Sequence, residues 1–177
     1  LAALLGDLAT DHDGARLRAA GIPAATITTG SACHLDAKLV HQALHHLDLG
    51  DADTLVIENV GNLVCPAIYD LGEAAAVVAL SVTEGEDKPL KYPTMFHGAD
   101  LVLLTKVDLL PHLLGFRMDV LEDALARTMP RLKVIRVSAL TGEGLPEWIA
   151  WVEAQRARLS SGAHAHHAGQ HAHTHAH

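Results

Sequence analysis

"DLVLLTKVDLLP", residues 100 to 111, passes from an unbroken apolar run straight into a lysine and an aspartate set two positions apart. A run of this length with no polar alternation fits a strand buried on both faces of a parallel sheet. Four further runs share the character: "AATIT" (24–28), "TLVIE" (54–58), "AAVVALSV" (75–82) and "KVIRVS" (133–138). Amphipathic segments lie among them, from Asp13 to Ala20, Leu35 to Leu47, Val120 to Thr128 and Leu145 to Arg158. In the second, Val40, Ala43, Leu44 and Leu47 form the apolar stripe and leave His41 and His45 outward. This alternation predicts an α/β fold, a doubly wound and mainly parallel sheet. Ligands in such sheets bind beyond the carboxyl ends of the strands, so the residues after each strand carry the functional reading.

Composition sets the frame. A chain of 177 residues suits one domain with a sizeable core. No uncharged apolar run reaches the roughly 18–20 residues of a membrane span. The opening "LAALLGDLATD" is too short and too soon acidic for a signal peptide. Two cysteines without an export signal point to a reducing compartment, expected to be the cytoplasm. A net charge of -8 offers no electrostatic footprint for nucleic acid or an anionic membrane. The expected domain spans residues 1–159 and is followed by a distinct tail, 160–177. That tail, "SSGAHAHHAGQHAHTHAH", has no apolar residue larger than alanine and is expected to be disordered. It holds His164, His166, His167, His171, His173, His175 and His177, half of all the histidines, a density suited to nickel, zinc or copper. A purification tag is the alternative, although tags are usually unbroken histidine runs.

Each strand end has its own chemistry. After "AATIT" comes "TGSACHLDA", where Gly30 and Ser31 suggest a turn and an N-cap that would put Cys33 and His34 in the first helical turn. A thiol there has its pKa lowered by the helix dipole, favouring the thiolate a metal needs. After "TLVIE" comes "NVGNLVCPA", which carries Cys65 to the same sheet edge. Two thiolates and an imidazole make a plausible transition-metal set, and two buried structural cysteines beside an unrelated histidine are the alternative. Glu58 closes that strand just ahead of Gly61, a placement suited to Mg²⁺ and a responsive loop, or simply to a solvated strand end. In "TKVDLLP", Asp108 can accept two hydrogen bonds from guanine N1 and N2 while the Lys106 stem covers a ring face. Asp108 would then select GTP over ATP. "SALTGEG" puts Ser138 and Ala139 at the next strand end, where a backbone N–H can meet the guanine oxygen.

Together "GDLATDHD", "TGSACHLDA", "IENVGNLVCPAIYDLGE", "TEGEDKPLKYP" and the pair "TKVDLLP"/"SALTGEG" resemble the HypB family, GTPases that assist nickel insertion into nickel–iron hydrogenase. The resemblance runs from Gly6 to about Trp151 and implies a P-loop GTPase fold of the SIMIBI type. It implies that Cys33, His34 and Cys65 ligate zinc or nickel near a homodimer interface. It implies further that Asp7 or Asp13 belongs to the first switch, that Glu58 supports Mg²⁺ and that Asp108 reads guanine. The implied partners are GTP, a companion nickel metallochaperone (HypA) and the hydrogenase large subunit. Two departures stand out. Thr105 replaces the asparagine that usually opens the guanine motif, and no G-x-x-x-x-G-K-S/T phosphate loop occurs in the chain. In the family that loop lies upstream of "GDLATD". The expectation is therefore a fragment without the first strand, phosphate loop and first helix, binding GTP weakly, hydrolysing it negligibly and exposing an apolar sheet edge.

The implied mechanism is a switch in which GTP and Mg²⁺ order the loops around Asp7 to Asp13 and Glu58 to Cys65. Lys88 and Lys91 would meet the nucleotide or the other subunit, or stand on a solvated charged loop. The alternative functions are a nickel store acting through the histidine tail, a urease-type nickel GTPase, and a domain with no metal role.

Overall fold

The computed structural model describes residues 1–7, 9–30, 34–61, 64 and 69–160. Its strands are β1 (Ala2–Asp7), β2 (Ala24–Thr28), β3 (Leu55–Glu58), β4 (Val77–Ser81), β5 (Leu101–Thr105) and β6 (Val134–Val137). Its helices are α1 (His12–Ala19), α2 (Ala37–Leu44), α3 (Lys88–Lys91), α4 (Pro93–Gly98), α5 (Met118–Thr128) and α6 (Leu145–Ser160). The strands form two three-stranded sheets, ordered β2-β1-β3 and β4-β5-β6. All four strand pairings are parallel, as the unbroken apolar runs predict.

β5 shows why its run does not alternate. Val102 and Leu104 face one core with Val78, Leu80, Phe96, Leu121, Leu125 and Met129, beneath α4 and α5. Leu101 and Leu103 face the other with Ile135, Val137 and Trp151, beneath α6. Helices thus cover both faces, so no side of the strand can be polar. In the first sheet, Leu4 packs with Leu35 and Val40, joined by Ile27, Ala43, Leu44 and Ile57.

Several elements differ from the sequence reading. No strand was expected at the start of the chain, yet Ala2 to Leu5 are buried and form the centre of the first sheet. α2 begins at Ala37 rather than Leu35, because the Asp36 side chain accepts from Leu39 N at 2.7 Å and fixes the cap there. α6 continues through Ser160, one residue past the expected domain end. Lys88 and Lys91 lie on a short helix, paired with Glu84 at 2.9 Å and Asp87 at 2.6 Å. β3 and β4 each keep one edge without a strand partner among the described residues, and Val56 and Val77 are exposed there. No helix among the described residues is long and apolar enough to cross a membrane.

Candidate functional site

β5 and β6 pair with Thr105 opposite Val137, which sets Lys106 and Ser138 side by side where the strands end. Lys106 has φ 60 and ψ 35, the one positive φ outside glycine among the described residues. Holding a lysine in the left-handed region costs about 1–2 kcal/mol, and such strain collects at binding sites. It turns the chain into a 3-10 turn, Val107–His112, with Asp108 in its first turn. The Thr105 hydroxyl donates to the Leu80 carbonyl at 3.4 Å, a long bond across to β4.

Ser138 stands at the end of β6, as expected, but its backbone is already engaged. Its N–H donates to the Glu143 carbonyl at 3.0 Å, and its Oγ accepts from Thr141 N at 3.1 Å. Fully buried, Ser138 shapes the loop and has no N–H to spare for a base. Ala139 is exposed beside it and remains the candidate donor.

At the first sheet, Asp7, Asp13 and Glu58 line one small cleft of ≈ 40 Å³ with Thr10, Gly14 and Thr26. Asp7 Oδ1 accepts from the backbone of Ala9 and Thr10, both at 2.8 Å, and these bonds hold its carboxyl below the usual range. Asp13 pairs with Arg16 at 3.4 Å on the exposed first turn of α1. Glu58 lines the same cleft, and partial desolvation, then Asp13 and Asp7, push its pKa above the ordinary 4.5. Three acids with one disfavouring its own ionisation fit a cation. They do not converge on one point, since no three His, Cys, Asp or Glu side chains among the described residues could hold a metal together. Mg²⁺ suits that arrangement, because it is usually bound through one or two carboxylates with waters and substrate phosphates completing the shell.

The Glu58 shift has a sign that can be checked. An acid with a raised folded pKa costs nothing below its unfolded pKa and subtracts stability as pH rises through the folded value. Glu58→Gln should therefore raise the thermal midpoint slightly at pH 7, where the parent carries the strained charge. Near pH ~4 the two proteins should melt together, and a gain of equal size at both pH values would contradict this origin.

Cys33 and Cys65 lie outside the described residues, as do the seven tail histidines. His34 is described, and its ring stacks on Tyr69 with centroids 3.8 Å apart and planes 9° from parallel. Beside it, Leu35 N donates to Asn59 Oδ1 at 2.9 Å, and the same oxygen accepts from Val60 N at 2.9 Å. Leu35 is fully buried, and a Cβ on Gly6 would come within 2.9 Å of its side chain. His34 thus precedes the α2 cap and does not stand in a first helical turn as expected, whereas the dipole expectation concerned the Cys33 thiol, which lies outside the described residues.

Asn59 and Tyr69 are the residues that sequence reasoning missed. Together they bind the segment after β2 to the segment after β3. A faint signal existed: the chain has two tyrosines, and one follows Cys65 by four positions.

Residues 1–136 match the family model described as CobW/HypB/UreG, nucleotide-binding domain. The hydrogenase maturation factor HypB of Azotobacter chroococcum mcd 1 is 60% identical over 160 residues, covering 90% of this chain and 52% of that protein. Among solved structures, HypB from Helicobacter pylori in complex with nickel superposes with a TM-score of 0.83 at 38% identity, covering 89% of this chain and 75% of that one. The hydrogenase maturation factor HypB from Archaeoglobus fulgidus gives a TM-score of 0.78 at 41% identity, covering 88% and 75%. The chain spans about half the length of the curated relatives it matches.

Proposed function

We propose that this chain, which belongs to the CobW/HypB/UreG nucleotide-binding domain family, is the metal- and guanine-binding part of a nickel-delivery GTPase serving hydrogenase maturation. The observation that carries the reading is the bond from Leu35 N to Asn59 Oδ1. Asn59 directly follows Glu58 of the carboxylate cleft, and Leu35 directly follows His34. In this reading, one side chain would link the nucleotide side to the metal side.

In this reading Asp108 accepts from guanine N1 and N2, the Lys106 stem covers the ring, and Ala139 N–H meets the guanine oxygen. Glu58, with Asp7 or Asp13, supports Mg²⁺, which would neutralise phosphate charge when bound. Cys33, His34 and Cys65 hold nickel or zinc, and nickel is the cargo. A change in the loop carrying Glu58 and Asn59 would reposition His34 relative to Cys65, so nucleotide state would alter metal affinity. A homodimer, the companion metallochaperone HypA and the hydrogenase large subunit complete the pathway, in the cytoplasm, with the histidine tail as a nickel reserve. The 177 residues contain no G-x-x-x-x-G-K-S/T loop, so GTP turnover by this chain alone is expected to be negligible.

The test is a nickel and zinc titration of the full chain, read by thiolate-to-metal charge-transfer absorption, which tail imidazoles cannot produce. One metal per chain with the band lost in both Cys33→Ala and Cys65→Ala is the expected result. A band absent from the parent, or surviving both substitutions, would remove the cysteine site. The metal role would then fall to the tail. Phosphate release by the same chain checks the second half, and substantial turnover would contradict it.

A further inference from the structure

We propose that His41 and His45 form a second metal site on α2, a two-imidazole chelate for a divalent transition-metal ion, separate from the Cys33, His34 and Cys65 set. The two residues are one helical turn apart and both exposed. Their Nε2 atoms lie 3.1 Å apart, with ring centroids at 4.6 Å and planes at 86°. Two imidazole nitrogens on one ion, at bond lengths of about 2.0–2.1 Å, stand about 3.3 Å apart in a tetrahedral site and about 2.9 Å apart at a right angle. The observed spacing falls between those values. The two Nε2 atoms are thus already within the separation that one shared ion requires.

The rest of α2 keeps the pair in place. Val40 is buried with Leu4 and Leu35, and Ala43 and Leu44 pack on the same cluster, so the opposite face of the helix is anchored to the sheet. His41 and His45 stand in the last turn and at the C-cap, where the helix dipole favours a cation. Imidazole nitrogens suit nickel, zinc and copper. With two protein ligands, water fills the remaining positions and the ion exchanges readily. The site is suited to a transient surface stop for metal and not to a structural one.

A direct hydrogen bond between two neutral rings would give the same spacing, and the test separates the two. The full chain is titrated with Ni²⁺ chloride alone, past saturation of the tail, and exposed histidines are carbethoxylated and mapped by mass spectrometry. His41 and His45 should lose reactivity together with one midpoint, while the adjacent exposed His46 keeps its own. His45→Gln should restore the reactivity of His41, and His41→Gln that of His45. Glutamine is a good helix former, so neither change should unwind α2. The paired protection should also persist in Cys33→Ala and Cys65→Ala, which keeps this outcome independent of the cysteine site. Unchanged His41 reactivity in excess Ni²⁺, or protection of His41 that survives in His45→Gln, would overturn the chelate.

Discussion

Asn59→Ala is expected to weaken nickel binding at the proposed cysteine–histidine site about 10–100-fold, the usual cost of losing a residue that orients a metal ligand. The Asn59 oxygen accepts from Leu35 N and Val60 N, each at 2.9 Å. Leu35 is fully buried and Val60 is 8% exposed, so neither N–H has easy access to water. Losing the acceptor should also cost about 1–3 kcal/mol of stability. Asn59→Asp keeps an oxygen in place and should recover most of the affinity. Tyr69→Phe keeps the ring under His34 and should be nearly neutral, whereas Tyr69→Ala should follow Asn59→Ala in weakening metal. Competition of the thiolate–metal band against a chelator gives the affinities, and urea unfolding of the same proteins gives the stabilities. An Asn59→Ala protein that binds nickel as tightly as the parent would show that this link does not position the site.

The sequence made β2 to β6 legible because each is an apolar run bounded by turn residues. β1 was not, and its composition explains why. "AALLGD" opens with two alanines, which have low strand propensity, and only its central place in the sheet accounts for their burial. α3 and α4 are four and six residues long, each with a proline in its first turn, too short to show a helical period. Lys106 and Ser138 could be placed from the sequence because each directly follows the end of an apolar run, where β5 and β6 do end. Ser138 shows the limit of that reading: its position was right, but its N–H donates to the Glu143 carbonyl across a loop. Asn59 and Tyr69 act across 24 and 35 positions of chain, on Leu35 and His34, and no local pattern announces such contacts. His41 and His45 were recognised as an outward pair, whereas the 3.1 Å between their nitrogens is a property of rotamers that spacing does not fix.

Gly144→Ala should be the most damaging single change near the proposed guanine side, at about 4 kcal/mol or more of unfolding free energy. Gly144 has φ +69, and a Cβ there would stand 1.8 Å from the Arg136 carbonyl oxygen and 2.9 Å from its carbon. The left-handed backbone alone costs a side chain about 1–2 kcal/mol. The larger part comes from the obstacle, which is the backbone of β6 and cannot swing aside as a side chain would. The loop must lift instead, which threatens the bond from Ser138 N to Glu143 O at 3.0 Å and that from Trp148 N to Gly144 O at 3.0 Å. Gly142 is the control. It has φ +81 but nothing within 4 Å of its would-be Cβ, so Gly142→Ala should cost only about 1–2 kcal/mol. Urea unfolding of the two variants reads the difference directly. Equal costs would mean that the loop does not press against Arg136, and that Ala139 is not held at the end of β6 as the guanine reading requires.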